Sequence, residues 1–200
     1  MRKVNISVMV SGGGTNFQAV IDAIESGEIP WGQIVQVISS TSKAYSLERA
    51  KKHNIKAKVI GRENYPDMDR RTDAILAALA EEKTDMIVLA GYMSVLDGRL
   101  IEAYRDRIIN IHPSLIPKYC GKGFYGHHVH EAVLAGGETE SGATVHFVDE
   151  GVDTGKIILQ RKVSVEPDDT PDSLAARVLK VEHTILPLAV KQLTEQLAKQ

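Results

Sequence analysis

"KVNISVMVSGGGTNFQAVIDAIESG" (Lys3–Gly27) packs three patterns into one short span. Lys3–Val10 is β-branched and apolar, the composition of a buried strand. "SGGGTN" (Ser11–Asn16) is a tight glycine loop, and "FQAVIDAIESG" has helical spacing that closes at Gly27. Strand, loop and helix in that order form the first half of a β-α-β unit, which predicts a parallel sheet rather than a hairpin.

The pattern repeats downstream. "IVQVISS" and "KAKVI" read as the second and third strands, with "SLERAKKHN" as a helix between them. "DRRTDAILAALAEEK" predicts a third helix, "DMIVLAG" (85–91) a fourth, buried strand, and "RIINIH" a fifth after a short helix near 97–104. A loop at 113–126 then breaks the order, followed by a helix near 127–135. "GATVHFVDE" and "GKIILQRKVSV", joined by "GVDT", predict a hairpin-like antiparallel addition. A long helix closes the chain, capped by Thr170 with Pro171 at its first position and Asp172 in its first turn. Pro187 inside it predicts a kink or a split. The fold class is α/β: a mostly parallel twisted sheet with helices on both faces and late strands partly antiparallel. No repeat or linker divides the chain, so residues 1–200 are expected to form one domain.

Composition excludes several classes. A net charge of −2 with scattered Lys and Arg argues against nucleic acid and anionic membranes as partners. Cys120 is the only cysteine, so neither an intrachain disulfide nor a cysteine metal cluster can form, which fits a reducing cytosol. The apolar start is too short and too interrupted for a signal peptide or a membrane span. A cytoplasmic location is the expectation.

The glycine loop would sit where helix N–H groups lack partners and the helix dipole favours an anion. Phe17 stands where the dinucleotide pattern G-x-G-x-x-G needs its third glycine, and G-x-x-x-x-G-K-[ST] is absent. The loop therefore predicts a phosphate site for a ligand other than NAD or ATP. At the fifth strand, Asn110 and His112 lie two apart and so share a face, roughly 7 Å from each other. Open parallel sheets bind ligands beyond the carboxyl ends of their strands, where both residues would be delivered. An amide donor beside an imidazole suits chemistry at a carbonyl. A carboxylate from "DEGVDTG" could support His112, and spacing leaves Asp149, Glu150 and Asp153 in competition for that role. His127 and His130 are one helical turn apart, but no third ligand is spaced for a metal site. His146 reads as a structural or supporting residue of its strand, and nothing marks Cys120 as reactive.

"SGGGTNFQA", "NIHPSLIPKY" and "HFVDEGVDTGKIILQ", with "LAGYM" and "RVLKVEHTILP", together resemble the phosphoribosylglycinamide formyltransferase family over nearly the whole chain. The resemblance implies a Rossmann-like formyltransferase fold. It also implies transfer of a formyl group from 10-formyltetrahydrofolate, as co-substrate and without a metal, to the amine of 5'-phosphoribosylglycinamide in purine synthesis. Matched motif by motif, the catalytic positions are Asn110, His112 and Asp153, with protonated His112 and Asn110 stabilising a tetrahedral intermediate. Gly13, Gly14, Thr15, Asn16 and Glu182 match substrate contacts. Met93, Ser94, Val95, Leu96, Asn110, Val148, Asp149 and Glu150 match the folate pocket. Ser94 stands where some relatives carry a basic residue, and the stretch at 120–130 is longer than in the shortest relatives. The expected partners are these small molecules, with room for a homodimer. Rival readings are a 10-formyltetrahydrofolate hydrolase, a transfer-RNA formyltransferase and a non-catalytic phosphoribosyl-binding protein. The first two usually carry an additional domain, for which this length leaves no room.

Overall fold

A computed structural model describes residues 1–200. Along the chain run β1 (Val4–Val10), α1 (Thr15–Glu25), β2 (Gly32–Ser39), α2 (Ser46–Lys52), β3 (Lys56–Val59), α3 (Met68–Glu81) and β4 (Met86–Leu89). There follow α4 (Gly98–Ala103), β5 (Ile108–His112), α5 (His127–Ala135), β6 (Glu140–Phe147), β7 (Ile157–Ser164) and α6 (Pro171–Leu197). All seven strands join one sheet in the order β3-β2-β1-β4-β5-β6-β7. The first five are parallel, whereas β6 and β7 are antiparallel additions at one edge.

Two apolar layers explain why the central strands are hydrophobic throughout. Val8, Met86, Val88, Ile109 and Ile111 face a core shared with α1, α5 and α6. Met9, Ile87, Leu89 and Ile108 face the opposite layer, filled by Ile75, Leu79 and Leu100 of α3 and α4. Successive side chains alternate between the layers, as strand geometry requires.

Two details differ from the reading of the sequence. The first helix starts at Thr15, because Gly14 takes a left-handed conformation (φ 71°) that turns Thr15 and Asn16 into the first helical turn. Pro187 does not split the last helix, which is continuous from Pro171 to Leu197. Leu174, Val178, Ile185, Leu186, Ala189 and Val190 are all buried along it, so packing on both sides of the proline outweighs one missing backbone bond. Its start matches expectation: Thr170 and Ser173 form a reciprocal capping box ahead of Pro171. No helix is long and apolar enough to cross a membrane.

Because β1 connects to β2 on one side and β4 lies on the other, the sheet has its switch point between β1 and β4. Ligand crevices open there, beyond the carboxyl ends of the strands. If α6 is the keel of this layer, Leu186→Ala should cost about 2–5 kcal/mol. Thermal unfolding should then fall by about 2–4 °C per kcal/mol; an unchanged Tm would show that α6 packs loosely.

Candidate active site

β5 ends at His112, which is buried although it is polar. Its Nε2 lies 2.9 Å from the Tyr119 carbonyl, and a carbonyl only accepts, so Nε2 carries a proton. Nδ1 faces the Asp153 carboxylate at 3.6 Å. Tyr119 and Asp153 are both non-glycine residues in the left-handed region, with φ of 52° and 57°. Strained backbone of this kind persists where surrounding structure holds it, here on both sides of one imidazole.

Asp153 reaches His112 by a fold-back. β6 ends with Phe147 opposite Ile109, and the Val148 N–H donates to the Ile108 carbonyl at the start of β5. The turn then doubles along β5 to bring Asp153 beside its far end. Of the three competing acids, only Asp153 meets His112. Asp149 instead braces the turn, accepting from the Gly151 N–H and the Thr154 hydroxyl, and Glu150 points outward, 3.7 Å from Arg105.

The antiparallel register also sets His146 directly opposite Asn110. His146 Nδ1 donates to the Phe147 carbonyl at 2.7 Å, which leaves Nε2 facing Asn110 Nδ2 at 3.2 Å and Asp153 Oδ1 at 3.5 Å. Asn110 Nδ2 also lies 3.5 Å from Asp153 Oδ1, at the limit of a hydrogen bond. The amide hydrogen toward Asp153 is thus only weakly held and can move onto a developing negative oxygen. The Gly121 N–H donates to Asp153 Oδ2 at 3.0 Å and completes the set.

Burial pushes the His112 pKa below its ordinary value, against the pull of the Tyr119 carbonyl and Asp153. Burial raises Asp153, but His146, the Gly121 N–H and His112 outweigh it and hold the carboxylate below its usual range. Burial thus disfavours the His112 imidazolium, while the Asp153 carboxylate beside it is held in its ionised form. Nearby His130 is driven down further, to about 4, by burial and then by His127 and His112. His127 and His130 stack edge to face, and His127 is held by Asp172 rather than by a ligand set. Cys120 is raised by burial and by Asp153, which makes its thiol less reactive.

Across the switch point, Ser11–Asn16 line a cleft of about 290 Å³ with Ala90, Gly91 and Met93. The N–H groups of Gly13, Gly14, Thr15 and Asn16 donate to no protein acceptor. The Ser11 hydroxyl accepts from the Met93 N–H at 2.9 Å and ties this loop to the segment after β4. Asn16 Nδ2 donates to Glu182 Oε2 at 2.5 Å. Glu182 is buried, which raises its pKa against the pull of Asn16. Leu96 and Val148 pack on the layer that Asn110 faces, whereas Met93, Val95 and Val152 are exposed apolar groups at its rim. Ser94 lies with them, half-buried.

Residues 4–190 match the profile of the formyl transferase family. This chain belongs to that family. The phosphoribosylglycinamide formyltransferase of Haemophilus influenzae is 43% identical over 190 residues, covering 95% of this chain and 87% of that protein. The trifunctional purine biosynthetic protein adenosine-3 of Drosophila melanogaster is 42% identical over 193 residues, 96% of this chain but 14% of that longer protein. The crystal structure of glycinamide ribonucleotide transformylase 1 from Symbiobacterium toebii superimposes with a TM-score of 0.91 at 39% identity, covering 97% of this chain and 89% of that one.

In this formyl transferase the sequence alone undervalued His146, Tyr119 and Gly121. A histidine alternating in a strand was visible, but its partner across the sheet depends on the β5–β6 register. The other two act through backbone groups, which leave no residue-type signal.

The geometry predicts that kcat/KM falls on the acid side as His112 gains its proton, with a limb below the ordinary imidazole value of about 6.5. Asp153→Asn removes a group that raises the His112 pKa, so the limb should move to still lower pH; movement upward would contradict the pairing. Glu182→Gln should relieve a buried carboxylate and raise Tm by about 2–4 °C, the shift of 1 kcal/mol in a chain of this size. It should also raise the KM for the phosphoribosyl substrate, and an unchanged KM would remove Glu182 from the binding site.

Proposed function

We propose that the chain transfers the formyl group of 10-formyltetrahydrofolate to the amine of 5'-phosphoribosylglycinamide, using Asn110, His112 and Asp153. The observation that carries this reading is the approach of the Asp153 carboxylate to His112 and Asn110 of β5, with only β4 between them and the unpartnered cluster of N–H groups after β1. A phosphate at Gly13, Gly14, Thr15 and Asn16 would anchor the ribonucleotide, with Glu182 beneath it supporting Asn16. Met93–Leu96, Val148 and the turn through Asp149 and Glu150 would line the folate side, with Asn110 between the two substrates. A cytoplasmic location and a single working domain belong to the same reading.

The substrate amine attacks the formyl carbon, and the carbonyl electron pair moves onto oxygen. Asn110 donates its weakly held amide hydrogen to that oxyanion. Neutral His112, whose Nε2–H is held by Tyr119, has Nδ1 available to take the ammonium proton, directly or through water. The imidazolium so formed lies beside Asp153, which stabilises it, and it adds positive charge next to the oxyanion. Collapse of the intermediate breaks the bond from carbon to folate N10, and the proton passes to that nitrogen as it leaves. Formylated ribonucleotide and tetrahydrofolate are the products.

A positioned base with its supporting carboxylate contributes about 10²–10⁴-fold, and positive charge beside the oxyanion adds to it. His112→Ala and Asp153→Ala should therefore lower kcat by roughly 10²–10³-fold while ribonucleotide affinity changes only a few-fold. Turnover near wild type in either variant would remove these assignments. Folate consumption measured with and without phosphoribosylglycinamide separates transfer from hydrolysis: the reaction should require the ribonucleotide.

A further inference from the structure

Nothing in the cleft explains by itself why the glycine loop presents its N–H groups rather than its carbonyls. A trans peptide points C=O and N–H in opposite directions, so whatever holds the carbonyls aims the donors. The Gly12 carbonyl accepts from the Ser46 N–H of α2 at 3.1 Å, and the Gly13 carbonyl accepts from Arg49 Nε at 2.8 Å. The peptides concerned are those whose N–H groups belong to Gly13 and Gly14. With both carbonyls drawn onto α2, these N–H groups point away from α2, toward the cleft formed with Ala90, Gly91 and Met93.

Arg49 is itself held from three directions. Its Nη1 donates to Gln18 Oε1 of α1 at 3.1 Å, and its guanidinium lies over the Tyr45 ring at 5.2 Å. Gln18 is in turn tied to Asp22 and His53. The planar fork therefore bridges α2, α1 and the loop. Close approach of α2 requires a glycine at position 14: a Cβ there would lie 2.6 Å from the Ser46 Cβ.

We propose that Arg49 is a positioning residue for the substrate's phosphate, acting by fixing the Gly12–Gly13–Gly14 peptides so that their N–H groups converge on the anion. This rests on the reading of Gly13–Asn16 as the phosphate site. A phosphate monoester, whether carried by the glycinamide ribonucleotide or by ribose 5-phosphate alone, is the ligand class concerned.

The test uses Arg49→Met in the full chain, with both compounds titrated by calorimetry and the Gly13 and Gly14 amides followed by NMR. Affinity for both should fall at least about tenfold, while kcat at saturation and the KM for formyl-folate stay within about twofold. Arg49→Lys, whose ammonium can still donate to the Gly13 carbonyl, should recover part of the loss. Gln18→Leu, which frees one arm of Arg49, should show a smaller loss in the same direction and serves if Arg49→Met fails to fold. The difference from wild type should persist at about 0.5 M salt, where exposed charges are screened beyond about 4 Å. Affinity within twofold of wild type overturns the proposal. Convergence of the two proteins at high salt also overturns it, in favour of a simple charge contact. Wild-type binding that leaves the Gly13 and Gly14 amides unshifted would remove the phosphate site itself, a result distinct from any failure of Arg49.

Discussion

The Asp153 carboxylate closes this site. It gathers the Gly121 N–H, His112 and Asn110 of β5, and His146 of β6, from three separate segments, and no other group touches them all. Its ionisation is maintained against burial by His146, the Gly121 N–H and His112. Each imidazole around it has one nitrogen already committed to a backbone carbonyl, Tyr119 for His112 and Phe147 for His146. The carbonyls thereby decide which nitrogen is left to face Asp153 and Asn110. A carboxylate with fixed neighbours on every side is preorganised, which is the condition for stabilising charge that appears only during reaction.

The sheet supplies the frame for that arrangement. Parallel strands deliver the glycine loop and the segment after β4 to one edge, and the Ser11 hydroxyl links them. The antiparallel β6 then makes possible what a sixth parallel strand could not. It runs back along β5, places His146 across from Asn110, and returns its outgoing turn toward His112. The switch in strand direction is therefore a functional feature of the fold as well as a topological one.

Several groups here oppose stability. Glu182 is buried with one partner, the Asn16 Oδ1 and His130 Nδ1 atoms are buried without any, and Asp153 and Tyr119 hold left-handed backbone. Buried polar atoms without partners cost about 1–3 kcal/mol each. Those named here lie around the candidate site, although Gln36 Oε1 and Ser141 Oγ are buried without partners elsewhere in the sheet. Such local departures from packing rules are characteristic of places shaped for binding or chemistry.

Alternation of β-branched runs with helical spacing made the parallel sheet, its helical layers and the antiparallel end legible, because those patterns are local and period-specific. Gly12–Gly14 after a strand marked an anion loop, and Asn110 and His112 two apart marked a shared face. Local periodicity could not show that Pro187 would sit inside an unbroken helix, since the packing that holds α6 together comes from distant strands. It could not choose among Asp149, Glu150 and Asp153, or reveal His146, Tyr119 and Arg49 as partners of the site. Those pairings depend on strand register, on a turn that folds back, and on backbone carbonyls whose direction no residue type records. Sequence by itself determined which elements form and which face each side chain takes; tertiary structure decided which faces meet, because contacts between residues far apart in the chain are set by packing rather than by spacing.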